Sequence, residues 1–432
     1  MALKVVGKRE KRYDGLAHVT AQTRFVDDIV VPGTLYVKAL RSPVAKGTVK
    51  QIDVSGAKNM PGVAEVITAR DIPNNIYGLG ADQPVLAEEI RYRGEPIAAV
   101  AAVDEDTALE ALEKIKVDIE EEEAVFDPLE AMKPDAPKVR PEGNIFMYGE
   151  SPCRKIVFGD IEAGFKEADH IIEGDYAHPP YEHAQLEPQV SLAVPEADGK
   201  LTVYTVSQAH TFHLGMLCGI LKMPLSKVRY VGGTIGGGFG GKNDIHADHV
   251  AAVLALKTGK PVKWRWTREE ELLYSTFRGA WKIKIKDGVK KDGRIVARQV
   301  ESIREAGAYT TLNVYVVDKH CFLGAGPYYI PNVNIEGYCV YTNKPPASSM
   351  RGFGVTPSTF AIEVQMNKIA VEIGVDPWEL RFINAYREGE QTPTRRVLDS
   401  VALVETMQAV AEKAGIELPE RLKAMTSKER GE

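Results

Sequence analysis

The feature of this sequence best suited to chemistry is a glycine-rich segment, GGTIGGGFGGK, at residues 232–242. It follows a β-type run at 228–231 and precedes a helix predicted over 243–258, with Asn243 or Asp244 as its N-cap. Glycines permit positive φ and close backbone approach, so consecutive N–H groups can converge on negative charge. The segment therefore predicts a site for an anionic ligand or cofactor.

Two nucleotide-binding patterns nearly fit the same segment. It contains G-x-G-x-x-G, but 256–267 lacks the carboxylate that a dinucleotide fold places about 20 residues further on. It also contains G-x-x-x-x-G-K ending at Lys242, but Asn243 follows where a P-loop has the Ser or Thr that binds Mg²⁺. A nucleotide-binding protein, P-loop-like or of dinucleotide type, stays an alternative, as does a tightly packed turn without a ligand.

Histidines form two further groups that could suggest a metal site. One is His178 with His183, and the other is His246 with His249, which stand at helical i, i+3 spacing. Zinc and iron sites usually require three or more converging ligands. We therefore expect these histidines to be packed beneath the glycine-rich segment or at an interface, and predict no metal held by protein ligands.

Composition narrows the class of protein. The chain has 432 residues, which predicts two or three domains, and its net charge of −6 provides no electrostatic footprint for nucleic acid. No apolar run reaches the ~18 residues of a membrane span, and the first residues do not have the pattern of a secretory leader. The four cysteines form no C-x-x-C pair, which favours a reducing, cytoplasmic compartment and excludes cysteine-ligated iron–sulfur clusters within this chain.

The elements that must position the glycine-rich segment fall into two mixed α/β units. Residues 14–127 alternate short β-type runs with turn signals, and 128–150, rich in proline and charge, reads as a linker. Strands and helices then alternate over 151–412, ending in an amphipathic helix, and 413–432 is predicted to be a charged tail, whose last ten residues, KAMTSKERGE, are expected to fray. Predicted strands are 35–40, 63–67, 96–103, 201–206, 228–231, 262–266, 295–303 and 333–341, and predicted helices follow Asp104 and occupy 243–258 and 358–374.

An ordered set of motifs resembles the xanthine dehydrogenase and aldehyde oxidase family. The segment GTIGGGFGGK resembles that family's molybdopterin-binding loop, and MRGFG at 350–354 resembles its second loop, followed by a helix and DPxxLRxxN at 376–384. Weaker matches lie at 27–43, 94–100, 183–188 and 206–208. The resemblance covers about 14–412 and implies an N-terminal hammerhead α/β domain followed by the first molybdopterin-binding domain.

The resemblance implies roles for individual residues. Gln208 would hydrogen-bond an oxo ligand of molybdenum, 238–240 would lie against the metal and its dithiolene, and Phe353 would stack on a planar substrate. No side chain would ligate the metal, and no catalytic residue is assigned, because the family's GxGE glutamate, its general base, does not occur here. Cofactor-binding residues are then Gln208, Gly237, Gly238, Phe239, Gly240, Arg351 and Gly352, and substrate-binding residues are Phe353, Lys319 and Asn243.

Two departures from the family pattern bear on the substrate. Asn243 stands where xanthine-oxidising members have glutamate, and Lys319 stands where they have a substrate-binding arginine. Lysine keeps the charge but loses the planar bidentate fork, so xanthine itself is in doubt, whereas a carboxylate or carbonyl oxygen could still meet Lys319. Carbon monoxide oxidation is not expected, because 344–354 contains no cysteine.

Length and motif order are similar to those of the split large molybdopterin subunit of the nicotinate dehydrogenase type. This implies molybdopterin, as the cytosine dinucleotide, with molybdenum. It implies a second molybdopterin subunit carrying GxGE, an FAD subunit and a subunit with two [2Fe-2S] clusters. The predicted reaction oxidises an N-heteroaromatic substrate, nicotinate- or purine-like, with water as oxygen source. The alternatives are an aldehyde-oxidising member of the family, a nucleotide-binding protein, and a structural half-subunit without chemistry of its own.

Overall fold

The computed structural model describes residues 4–428, in which strands and helices alternate along the chain. The strands are β1 (Leu35–Arg41), β2 (Gly47–Asp53), β3 (Val63–Thr68), β4 (Ile76–Tyr77), β5 (Gln83–Pro84), β6 (Glu89–Ile90), β7 (Pro96–Ala102), β8 (Lys116–Glu121), β9 (Arg154–Phe158), β10 (His170–His178), β11 (Val190–Pro195), β12 (Leu201–Thr205), β13 (Val228–Gly232), β14 (Val262–Arg265), β15 (Trp281–Val289), β16 (Ile295–Gly307) and β17 (Val333–Tyr341). The α-helices are α1 (Gly15–Val19), α2 (Ser55–Lys58), α3 (Glu105–Leu112), α4 (Pro128–Ala131), α5 (Ile161–Glu167), α6 (His210–Leu221), α7 (Asp248–Thr258), α8 (Arg268–Tyr274), α9 (Asn313–Phe322), α10 (Val355–Ile373), α11 (Pro377–Asn384), α12 (Leu403–Ala414) and α13 (Glu420–Ala424), and Ala69–Asp71 and Leu225–Lys227 form 3₁₀ turns.

One seven-stranded sheet contains strands from both units that the sequence predicts. Its order is β13-β12-β11-β14-β1-β7-β3, and β1 pairs with β7 antiparallel and with β14 parallel, Leu35 opposite Val262. Strand β7 reads PIAAVAA and is almost wholly buried, as expected for a central strand covered on both faces. The predicted division at 128–150 therefore does not separate two sheets, since backbone hydrogen bonds join the units directly.

A second sheet, in the order β10-β15-β16-β17-β9, forms the other large core with α9 and α10 packed on it. Its interior includes an ion pair between Arg298 and Asp287, whose side chains are fully buried and whose Nε and Oδ1 atoms lie 2.7 Å apart. This sheet positions α9 and the segment that enters α10, which together form one wall of the candidate site.

The predicted strands are confirmed within one or a few residues, and Asp104 caps α3 by accepting a hydrogen bond from the Thr107 N–H at 2.7 Å. The predicted helix start at Asn243 or Asp244 is wrong, because α7 begins at Asp248 with Ala247 as N-cap. The side chains of Asn243 and Asp244 form hydrogen bonds with Ser349 and Thr276, which lie far away in the sequence. These bonds hold 243–247 in an irregular conformation.

The segments expected as a linker and a tail are packed. The linker is folded on itself by the buried Asn144 amide, which donates to the Ala131 and Pro137 carbonyls. It is tied to the second core because Ala131 and Val139 are buried there and the Phe146 N–H donates to the Cys339 carbonyl at 2.9 Å. Within 413–428, α13 buries Leu422 beside α12, and the Ser427 hydroxyl accepts a hydrogen bond from the Val404 N–H, so the expectation of fraying is wrong there. Residues 429–432 of the predicted tail lie outside the described residues.

Two further features concern membrane-spanning helices and disulfide bonds. No helix within residues 4–428 combines the length and apolar composition that a bilayer crossing requires. All four cysteines are free thiols and buried.

Candidate cofactor and substrate site

The glycine-rich segment forms a loop between β13 and α7 whose shape depends on positive φ. Gly237 and Gly240 adopt φ of +100° and +105°, and Phe239 lies in the left-handed region at +53°. The Gln208 side-chain oxygen accepts hydrogen bonds from the Gly240 and Lys242 N–H groups at 3.1 and 3.2 Å. A Cβ on Gly238 would lie 2.5 Å from that oxygen, so only glycine lets the loop rest on Gln208.

Beneath the loop, Lys242 is held in a buried ion pair. Its Nζ lies 2.6 Å from Glu187 Oε2, its side chain is fully buried, and the same carboxylate oxygen accepts the Gly236 N–H at 2.7 Å. Burial lowers the pKa of Lys242. A P-loop lysine must reach the phosphates of a bound nucleotide. This lysine is engaged with Glu187, so the G-x-x-x-x-G-K pattern does not form a P-loop here.

The second loop, 350–354, is bonded to the first. The Arg351 N–H donates to the Phe239 carbonyl at 2.8 Å, and the Ser349 hydroxyl donates to the Gly240 carbonyl at 3.0 Å. A Cβ on Gly240 would lie 2.7 Å from the Ser349 carbonyl oxygen. The two motifs, more than a hundred residues apart in sequence, thus form one surface.

Several donors on this surface are unpaired within residues 4–428. The backbone N–H groups of Gly237, Gly238 and Phe239 donate no hydrogen bond there, and the exposed Arg351 guanidinium has no ion-pair partner. Three consecutive N–H groups beside a guanidinium suit an oxygen-rich anion. This donor set fits a phosphate-bearing pterin cofactor, and the predicted cofactor residues 237–240 and Arg351 are brought together.

A cavity of about 550 Å³ opens beside the loops. Four residues predicted from the sequence line it: Gln208, Asn243, Lys319 and Phe353. Its remaining walls are largely apolar, including Phe212, Met216, Leu312 and Tyr315. The Gln208 side-chain NH₂ makes no hydrogen bond to any described residue, and so is available to a group bound in the cavity.

Lys319 and Phe353 are held on one wall by the contact between α9 and the second loop. The His320 ring nitrogen Nδ1 lies 3.2 Å from the Gly354 carbonyl oxygen, and a Cβ on Gly354 would lie 2.2 Å from the Val316 carbonyl. Lys319 is exposed and forms no ion pair or hydrogen bond with a described residue. The cavity therefore presents the uncommitted ammonium of Lys319 on the same wall as the ring of Phe353.

Asn243 also lines the cavity but is committed to the loops. Its Nδ2 donates to the Ser349 hydroxyl at 2.9 Å, and its carbonyl accepts from His213. The amide NH₂ is therefore used to hold the two loops together, and the predicted contact of Asn243 with the substrate stays a prediction. Gly352 has a role in the conformation of the second loop, because its φ is +93° and a Cβ at this position would overlap the Thr356 hydroxyl.

Sequence reasoning missed three cavity residues and one support. Phe212 and Tyr315 carry no motif, although Tyr315 stands one helical turn before Lys319, which is a usable signal. Asp244 lines the cavity, accepts a hydrogen bond from the Thr276 hydroxyl at 3.2 Å, and has its pKa raised by burial. Glu187, which supports the loop, lies in the 183–188 segment that the family resemblance already marked.

The histidines serve as packing. His183 Nε2 lies 2.8 Å from the Ser349 carbonyl, beneath the loops, and burial lowers the pKa of both His246 and His249 to about 3. Across the described chain, 4–428, no three histidine, cysteine or carboxylate side chains converge as metal ligands would.

Family models match both parts of the chain. Residues 141–385 match the molybdopterin cofactor-binding domain, and residues 20–123 match the a/b hammerhead domain of aldehyde oxidase and xanthine dehydrogenase. The order, hammerhead first, agrees with the order predicted from the motifs.

Individual relatives agree with the family models. The nicotinate dehydrogenase large molybdopterin subunit of Eubacterium barkeri is 36% identical over 95% of this chain and 96% of its own length. A probable xanthine dehydrogenase subunit of Bacillus subtilis is 36% identical over 93% of this chain, which spans 54% of that protein. The solved aldehyde oxidoreductase from Desulfovibrio gigas superposes with a TM-score of 0.89 at 31% identity, over 96% of this chain and 47% of that one. The chain thus spans nearly the whole of one relative and about half of the other two.

Proposed function

Because the chain belongs to the xanthine dehydrogenase and aldehyde oxidase family, we propose that it is the molybdopterin-binding subunit of a molybdenum hydroxylase acting on an N-heteroaromatic substrate. One observation carries the proposal. Gln208 and Lys319 line the cavity, and the oxygen of Gln208 accepts hydrogen bonds from the same glycine loop that carries three unpaired N–H groups. Substrate and cofactor sites are therefore contiguous.

This chain would hold the cofactor with its two loops. The N–H groups of 237–239 and the Arg351 guanidinium bind its anionic oxygens, and the Gln208 NH₂ donates to an oxygen on the cavity side. When bound, molybdenum supplies Lewis acidity and a reactive oxygen derived from water. The protein's contribution would be orientation, since the two loops are bonded to each other and the glycine loop is bonded to Gln208.

The substrate class follows from the cavity walls. Phe353 offers a ring face to a planar substrate, and apolar side chains on the remaining walls exclude water from it. Lys319 would pair with an anionic substituent such as a ring carboxylate, because it is exposed and forms no ion pair with a described residue. A pyridine carboxylate such as nicotinate meets all three requirements.

Completion of the site requires a partner. The chain has no GxGE sequence, so the glutamate that removes a proton in this family would come from a second molybdopterin subunit. We place the electron acceptors, two [2Fe-2S] clusters and FAD, on further subunits, and the cofactor as the cytosine dinucleotide. The four free, buried thiols are compatible with a reducing, cytoplasmic location.

The test is metal analysis and turnover of the complex purified from its native source. Molybdenum in a one-to-one ratio with this chain, together with iron, is the expected result, and nicotinate should be oxidised in preference to xanthine and benzaldehyde. Preference for benzaldehyde would move the assignment to the aldehyde-oxidising branch. A folded complex that lacks molybdenum but binds ATP or NAD would overturn the proposal.

A further inference from the structure

A second, smaller chamber lies next to the substrate cavity. Its volume is about 30 Å³, and Tyr77, Gln83 and Ile245 line both spaces. The chamber lies between the hammerhead part of the chain, which contributes Arg41 and Glu95, and the molybdopterin-binding part. It is thus an internal space at the junction of the two parts.

Buried polar atoms without partners converge on this chamber. The ring nitrogen His246 Nε2, both indole N–H groups of Trp264 and Trp266, and the Arg41 Nε–H have no hydrogen-bond partner in the described chain. An unpaired buried polar group costs about 1–3 kcal/mol, so four at one place call for a bound partner. A space of this size exceeds the ~10–15 Å³ that one water requires, and several groups are present to bond it.

The chamber also contains two groups that can carry a proton. Glu95 is 2% exposed, accepts hydrogen bonds from the Tyr309 hydroxyl and the Arg91 N–H, and has its pKa raised by burial to about 7. On the other side, Thr276 lines the chamber and donates its hydroxyl to Asp244 Oδ2 at 3.2 Å, and Asp244 lines the substrate cavity.

We propose that the chamber holds one or two water molecules and that Glu95 passes a proton through them and the Thr276 hydroxyl to Asp244. The carboxyl of Glu95 gives its proton to a chamber water, that water gives one to Thr276 Oγ1, and Thr276 gives its own to Asp244 Oδ2. The net change is one carboxylic acid becoming carboxylate and one carboxylate becoming acid, with no oxidation. Thr276 is placed for the last step, because its hydroxyl oxygen lies 3.2 Å from Asp244 Oδ2.

The charged surroundings of both ends are compatible with this transfer. Facing Glu95 are Arg91 and Tyr92 from its own turn, Tyr309 from the segment after β16, and Arg41 from β1. The chamber histidines, 246 and 249, are uncharged near neutral pH because burial lowers the pKa of each to about 3. Facing Asp244 are Thr276 and, from neighbouring elements, His213 and His183.

The first arm of the test asks what occupies the chamber. A high-resolution crystal structure of the complex should show ordered water within hydrogen-bond distance of His246 Nε2 and an indole N–H. A dry chamber would overturn the proposal, and so would an anomalous bromide peak there after a bromide soak, because the site would then be one for halide.

The second arm uses infrared difference spectra of the carboxylic acid band during a pH titration. Raising the pH through about 7 should remove one such band per chain. Glu95→Gln should abolish this change, and the exposed control Glu110→Gln should not. A band unaffected by Glu95→Gln would contradict the proposal.

The path itself is tested by a cycle with Thr276→Val, which removes the hydroxyl at nearly constant volume. With Thr276 in place, Glu95→Gln should shift the titration midpoint of the Asp244 band by roughly half a unit or more. In the Thr276→Val variant the part of that shift carried by the hydrogen-bonded chain should be lost, so the shift should be smaller, whereas an equal shift in both would mean purely through-space coupling and overturn the relay. The consequence for turnover rests on the proposed function, but these readouts require no substrate, so the two can fail separately.

Discussion

The underside of the glycine loop and its cavity-facing side use the same residue types for opposite purposes. Beneath the loop, Lys242 lies 2.6 Å from Glu187 and is fully buried. On the cavity side, Lys319 is exposed and has no ion-pair partner in the described chain. The lysine of the glycine-rich motif thus stabilises the loop, and a lysine outside that motif faces the cavity.

The same division holds for amides and backbone groups. Asn243 and the oxygen of Gln208 are bonded to the loops, whereas the Gln208 NH₂ and the N–H groups of 237–239 have no partner in the described chain. What distinguishes the polar groups that support the loops from those that face the cavity is whether they have a hydrogen-bond or ion-pair partner, and not their residue type. Unpaired donors that face a cavity are the ones a ligand can use at no structural cost.

The largest expected effect comes from breaking the underside pair. Glu187→Gln leaves the buried Lys242 ammonium without a counter-charge and should lower the free energy of unfolding by about 3–5 kcal/mol. Glu336→Gln is the matched control, because Lys155 and Glu336 lie 2.7 Å apart but the lysine side chain is half exposed. That control should cost less than about 1 kcal/mol in urea unfolding followed by tryptophan fluorescence. An equal decrease in the free energy of unfolding of both variants would show that the buried ion pair is no more important than the exposed one.

Acid titration should reveal the buried histidines behind the loop. Burial lowers the pKa of His246 and His249 to about 3 and that of His320 to about 4, against an ordinary value of 6.5. Below pH 6.5 these histidines bind protons in the unfolded chain but not in the folded chain. The free energy of unfolding therefore decreases as the pH is lowered, by about 1.4 kcal/mol per pH unit for each histidine. Glu95 has the opposite effect between pH 7 and pH 4.5, because burial raises its pKa to about 7 and the folded chain binds its proton first. Its contribution cancels that of one of the three histidines.

Together, these four groups are expected to lower the free energy of unfolding near pH 5 by about 3 kcal/mol for each unit by which the pH falls. His246→Leu should reduce that slope by about 1.4 kcal/mol per unit. Urea unfolding at several pH values measures it, and an unchanged slope would show that His246 is charged in the folded chain.

Separating the two loops should empty the cofactor site. Gly240→Ala combines positive-φ strain with a Cβ 2.7 Å from the Ser349 carbonyl, and we expect molybdenum content to fall about thirtyfold, or ~2 kcal/mol of binding. Gly374→Ala has the same kind of strain at φ +69° but no atom within 4 Å of its Cβ. It should lose some stability and keep its molybdenum. Metal analysis of both variants decides whether loop contact or backbone strain matters.

The smallest effect should come from the cavity-side lysine. Lys319→Met should raise KM for nicotinate about tenfold, ~1.4 kcal/mol, with little change in kcat and in thermal stability, because only substrate binding loses a charge. Lys319→Arg should recover most of the affinity. A fall in melting temperature, or an unchanged KM, would place Lys319 among structural lysines.

The sequence by itself determined the local conformations and the family. The motifs at 232–242 and 350–354 require glycine at positive φ, and the structure has it at Gly237, Gly240 and Gly352. The apolar run of β7 and the Asp104 cap of α3 were likewise readable, because short-range sterics and hydrogen bonds decide both.

Only the tertiary structure decided which polar groups are free. Glu187 is 55 residues from Lys242, and Ser349 is 106 residues from Asn243, so no local pattern shows that these groups are paired. Long-range contacts also decided two local outcomes: the bonds of Asn243 and Asp244 delay the start of α7 to Asp248, and contacts of Leu422 and Ser427 fold the end of the chain onto α12. Local periodicity sets what a segment can form, whereas the choice between support and site depends on partners that only the folded chain brings within a few ångströms.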